Sequence, residues 1–132
     1  MRDLILKMSI SVDGFISDLD GRNTWMFGFD REAKAWSIEF IGNAGLHIMG
    51  SRSFLSMAPF WPTSTLAFAP PMNQIPKAVF SRQGPAILTN VTAALDDISA
   101  KGTGQSAELQ PGASSWAEAY VASGELRRKS PS

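Results

Sequence analysis

At 132 residues, with no cysteine, 12 basic and 12 acidic side chains and 44% hydrophobic residues, the chain has the size and composition of one globular domain. The missing cysteine excludes disulfides, thiol catalysis and Cys-ligated zinc, and no metal centre is expected. Zero formal charge argues against a nucleic-acid partner. The first apolar run, Leu4-Ile5-Leu6, is too short for a signal peptide or a membrane span, so a soluble cytoplasmic protein is expected.

Leu4 to Ile10 is short and apolar and reads as a buried first strand, ended by Ser11 and Asp13-Gly14. Asp20-Gly21 marks a turn. Asp30 is placed to cap a helix that runs through Ala33, Trp36, Ile38, Phe40 and Ile41 and stops at Gly42-Asn43. Leu46 to Met49 forms a second strand candidate, and a short helix follows from Ser51 to before Pro59.

Residues 59 to 76 hold five of the eight prolines together with Phe60, Trp61 and Phe68, which predicts an ordered, proline-stiffened loop. Lys77 to Ser81 reads as a third strand and Ala86 to Thr89 as a fourth. Thr92 to Lys101 reads as a helix with Ala94, Leu95 and Ile98 inward. Ser106 to Gln110 is a candidate fifth strand, alternating as a half-exposed strand would, and Ser114 to Ser123 a final helix. Alternating strands and helices imply an α/β fold with a mainly parallel sheet and helices on both faces. The domain is expected to span 1–124, with 125–132 as a polar, cationic tail.

Lys7-Met8-Ser9-Ile10-Ser11-Val12-Asp13-Gly14-Phe15-Ile16 resembles the opening strand and loop shared by dihydrofolate reductases and the bacterial riboflavin-pathway pyrimidine reductases. His47-Ile48-Met49-Gly50-Ser51-Arg52-Ser53-Phe54 resembles the strand-to-helix turn of that dihydrofolate reductase-like family, and Lys77 to Arg82 its next cofactor strand. Trp25 followed by Asp30 reproduces the spacing of a pocket tryptophan and an acidic substrate-binding residue. The resemblance runs from about residue 3 to 124. It implies an NADPH-dependent reductase of a pteridine- or aminopyrimidine-like heterocycle, with Asp30 catalytic and Asp13, Trp25, Phe29, Phe54 and Met57 around the substrate. It assigns the cofactor to Gly14, Gly50, Ser51, Arg52, Ser53, Ser81, Arg82 and Gly112.

The residues themselves are compatible with those roles. Serine hydroxyls and a guanidinium at a helix start suit a phosphate, and Ser81-Arg82 offers a second such strand end, suited to the 2′-phosphate. A helix start that caps itself with serine is the plain alternative. Asp30 reads equally as an N-cap or as a carboxylate that pairs with a planar heterocycle and favours its protonated form during hydride transfer. The aromatics read as pocket wall or as core. His47 reads as a core histidine with its nitrogens satisfied.

Two features depart from the family pattern. Gln110-Pro111-Gly112 stands where the family carries a strand ending in two glycines, and no further strands follow residue 124, so the chain reads as truncated. An open sheet edge invites another copy, so a homodimer through the C-terminal region is expected, with Trp116 or Tyr120 in or beside the contact. A non-catalytic NADP-binding or interaction module, and an unrelated activity on the same scaffold, remain the competing readings.

Overall fold

The computed structural model describes residues 2–24, 30–101 and 108–122. They divide into two units, Met1–Trp36 and Ser37–Ser132.

Residues 2–24 of the first unit form turns and irregular chain. Ser11 and Asp18 organise two of them: the Ser11 Oγ accepts from the Phe15 amide at 2.9 Å, and an Asp18 carboxylate oxygen accepts from the Asp20 and Arg22 amides at 2.9 and 2.8 Å. Gly14 and Gly21 take positive φ within them. The expected first strand does not form. Residues 4–10 join no ladder, and Leu4, Ile5 and Leu6 are exposed. A strand needs a neighbour to accept its backbone hydrogen bonds, and an apolar run supplies none by itself. Helix α1 (Arg31–Gly42) starts where Asp30 predicted it: the carboxylate accepts from the Glu32 and Ala33 amides, both at 3.0 Å.

The second unit holds a three-stranded parallel sheet of β1 (His47–Gly50), β2 (Lys77–Phe80) and β3 (Tyr120–Ala122), in the order β1-β2-β3. The register pairs His47 with Lys77, Gly50 with Phe80, Val79 with Val121 and Phe80 with Ala122. Met49, Val79 and Val121 therefore share one face. That face meets the core, where Phe54, Val79 and Trp116 are fully buried and the Phe54 and Trp116 rings lie 6.0 Å apart. The opposite face bears Ile48, Phe80 and Tyr120, all exposed. Ala78, in register with Ile48 and Tyr120 on that same face, is buried.

Among the described residues, the unit also holds the end of α1 and the helices α2 (Ser51–Met57), α3 (Ala69–Gln74) and α4 (Thr89–Lys101). The proline-rich stretch is ordered, as expected. It holds α3 and a 3-10 helix at Trp61–Thr63, each with proline in its first turn, where the missing N–H costs nothing. The expected fourth strand is instead a 3-10 helix, Gly84–Leu88. Gly84 turns at φ 61° and Pro85 fixes the next φ, which favours a helical start over a ladder. Helix α4 buries Val91 and Leu95 but leaves Ala94 exposed, since its inner stripe starts one turn earlier than expected.

The expected final helix is also corrected. Residues 113–116 form a 3-10 helix, and 120–122 become β3. Pairing with β2 supplies backbone partners, and Val121 packs against the core; this outweighs the local helical pattern. In the expected fifth strand, residues 108–110 carry no strand, while 106 and 107 lie outside the described residues.

Candidate functional site

Because Gly50 and Phe80 are paired across the sheet, the residues that follow them leave from adjacent strand ends. Ser51 to Ser53 open α2, and Ser81-Arg82 leave β2 beside them. The carboxyl ends of parallel strands are where open α/β sheets place ligands. Arg52, Ser53 and Arg82 are exposed there and Ser51 is half-buried. Neither arginine forms an ion pair among the described residues. Ser81 is built into the structure: it is buried, its amide donates to the Ala122 carbonyl at 3.2 Å, and its Oγ accepts from the Gln83 amide at 3.1 Å.

Gly50 itself has φ −80° and ψ 169°, extended backbone open to any residue. The turn into α2 therefore does not require glycine. Phe54 faces the core and presents no surface to a ligand, and Met57 packs against the same core. Asp30 is exposed and occupied as a helix cap. Asp13, also exposed, accepts from the Ser11 hydroxyl. Trp25 and Phe29 lie outside the described residues.

Gly112 does not join the others. It sits near Lys77, at the amino end of β2, roughly 10 Å along the strand from the end that bears Ser81. Its glycine is structural: φ is 81°, and a Cβ would stand 2.8 Å from the Asn73 carbonyl oxygen.

That amino end contains chemistry not singled out from the sequence. Lys77 is only 2% exposed. Its Nζ donates to the Ile75 carbonyl at 2.7 Å and to the Ser115 Oγ at 2.8 Å, and lies 4.3 Å from the centroid of the Trp116 ring. Ser115 in turn donates to the Asn73 carbonyl. The fully buried Asn73 side chain donates to the Trp61 carbonyl at 2.8 Å and accepts from Trp116 Nε1 at 2.9 Å. Burial lowers the Lys77 pKa to about 8. His47, its partner across the sheet, is also held below its usual value, by burial and by the Lys77 charge, against the opposing effect of its contact with the Ile41 carbonyl. His47 Nε2 lies 3.4 Å from that carbonyl, while the buried Nδ1 has no partner, so its nitrogens are not both satisfied. The available signal was a lysine opening an otherwise apolar strand, Lys77-Ala78-Val79-Phe80.

The RibD C-terminal domain family matches residues 2–95, more than half of the chain. The chain belongs to that family. The resemblance to riboflavin-pathway, dihydrofolate reductase-like reductases is thereby established, and the three-stranded parallel sheet with its helices is consistent with such an α/β fold. Within the RibD C-terminal domain match lie Asp13, Asp30, the Gly50 to Ser53 turn and Ser81-Arg82. Gly112 and β3 lie beyond it. No curated protein and no solved structure matches the chain.

Proposed function

We propose that the chain is an NADPH-dependent reductase domain acting on an aminopyrimidine- or pteridine-like heterocycle. The observation that carries this reading is the side-by-side exit of Ser51–Ser53 and Ser81-Arg82 from paired strand ends in a member of a reductase family. The donor set there fits a phosphorylated dinucleotide. Two exposed guanidiniums, Arg52 and Arg82, offer bidentate contacts to phosphate, and the Ser51 and Ser53 hydroxyls add donors. Bound NADPH supplies the hydride. On this reading Arg52 and Arg82 hold and orient the cofactor, and Asp13 and Asp30 are the carboxylates assigned to the substrate.

The test is fluorescence titration with NADPH, followed by an oxidation assay with dihydrofolate, an aminopyrimidine and simple carbonyl compounds. Saturable NADPH binding with turnover of a heterocycle supports the reading. Absence of binding removes it, and binding without turnover selects the non-catalytic module. That second reading draws on two observations: residues 4–10 form no strand, and Asp30 is engaged as a cap.

The same reading places the protein in the cytoplasm. No helix among the described residues is long and apolar enough to cross a membrane. It also includes a homodimer through the C-terminal region, with Tyr120 at the contact. Tyr120 stands 71% exposed on the outer strand of the sheet, whereas Trp116 is enclosed in its own core. Sedimentation at micromolar concentration checks the assembly, and a Tyr120→Asp variant that sediments like the original chain removes Tyr120 from it.

A further inference from the structure

The structure assigns a second binding site, for a small monocarboxylate, to the cavity at the amino end of β2 where Lys77 meets Ser115. It lies at the end of the sheet opposite the proposed cofactor turn and does not depend on that proposal.

The argument starts from the charge of Lys77. An ammonium removed from water is costly unless a carboxylate or several good acceptors replace its hydration. At 2% exposure, Lys77 has only neutral partners among the described residues: the Ile75 carbonyl, the Ser115 hydroxyl and the face of Trp116. Two of its three N–H donors therefore have oxygen partners, and no carboxylate lies within ion-pair distance among the described residues. The depressed pKa expresses the same deficit.

Lys77 borders a cavity. The cavity, of about 260 Å³, is lined by Gln74, Lys77, Gly112, Ser114, Ser115 and Glu118, with Pro76 at its wall. Drug-sized ligands occupy cavities of about 300–1,000 Å³, so this one suits a carboxylate on a short organic body. The network behind the ammonium is hydrogen-bonded throughout. Ser115 is held to the Asn73 carbonyl, and Asn73 is fully buried between Trp61 and Trp116. Gly112, at φ 81°, lines one side, with its backbone so close to the end of α3 that a Cβ would meet Asn73 and Gln74. The exposed Ser114 hydroxyl is a further donor to a bound oxygen.

The cavity also selects charge. Glu118 lines it, opposes a second negative charge and so favours a monoanion over phosphate. His47, in register with Lys77, is the other titratable group nearby; held neutral, it does not compete for the anion. A carboxylate that enters supplies the missing counter-charge and stabilises the protonated amine.

The probe is sodium acetate, titrated at pH 7 against sodium chloride of equal ionic strength, with the unfolding midpoint as readout. Lys77→Met removes the charge while keeping much of the volume, and should fold because it removes a buried ion without a counter-charge. The expected result is a saturable, acetate-specific rise in the midpoint, with affinity reduced at least tenfold in Lys77→Met and increased in Glu118→Gln. A midpoint that responds to acetate no more than to chloride overturns the site, as does a Lys77→Met protein that loses less than tenfold in affinity. Weaker acetate binding in Glu118→Gln also overturns it, since Glu118 would then be helping the ligand rather than limiting its charge.

Discussion

The Lys77 ammonium lies 4.3 Å from the centroid of the Trp116 ring, on a tryptophan that is itself fully buried and hydrogen-bonded to Asn73. One face of an aromatic ring thus helps to hold a cation inside the domain. The contact joins β2 to the 3-10 helix Ala113–Trp116, and through Asn73 to α3, so three separate parts of the chain meet at one charged group.

The first prediction follows from that burial. The Lys77 pKa falls from 10.5 in water to about 8 in the fold. Between those values the unfolded chain holds the proton and the folded chain has lost it, so raising the pH favours folding. Stability should therefore contain a component that rises from about pH 8 to about pH 10.5, worth at most about 3 kcal/mol. Chemical denaturation across this range should show it in the original chain, and Lys77→Met should remove that component. Identical pH slopes in the two proteins would show that the lysine titrates normally.

Gly112→Ala should destabilise the domain. A side chain at φ 81° is strained, and the new Cβ would stand 2.8 Å from the Asn73 carbonyl oxygen and 2.9 Å from the Gln74 Cα, both backbone atoms that cannot swing aside. The expected loss is about 2–4 kcal/mol, measured as a lower denaturation midpoint. A neutral substitution would mean that the loop re-forms away from α3.

Asp30 tests cap against catalyst. Asp30→Ala removes the acceptor of the Glu32 and Ala33 amides and should cost about 1 kcal/mol. Asp30→Ser restores a capping oxygen without the charge. If heterocycle reduction returns along with stability in the serine variant, the carboxylate has no chemical role. If stability returns and reduction does not, the carboxylate takes part in the chemistry.

Arg52 tests the proposed cofactor turn. The residue is exposed on α2, beside the end of β2. Lost contact with a charged phosphate commonly costs about 1.5–3 kcal/mol, so Arg52→Ala should weaken NADPH by tenfold or more. It should weaken NADH less if the guanidinium reads the extra phosphate, which parallel titrations with the two nucleotides will show. Equal losses would assign Arg52 to the shared part of the dinucleotide.

Local chemistry was legible wherever it was self-contained. Asp30 announced the start of α1 because a carboxylate and the free amides of a first turn need nothing else. His47–Gly50 and Lys77–Phe80 were readable as strands because short apolar runs lay between clear breaks. The turn motifs at Gly50 to Ser53 and Ser81-Arg82 were visible for the same reason, and they fall within the family match.

What the sequence determined alone was therefore its punctuation: where elements start, where chains of apolar residues run, and which residues bear phosphate-friendly groups. What only the tertiary structure decided was pairing. Leu4–Ile10 had a strand's composition and found no ladder, while Tyr120–Ala122 lay in a helical pattern and became a strand on meeting β2. Lys77 looked like the first residue of a strand. Residues 38 and 39 positions away, Ser115 and Trp116, turn it into a buried cation with a cavity beside it. Ladders and buried charges draw their energy from partners distant in the chain, and a local pattern carries no record of which partner arrives.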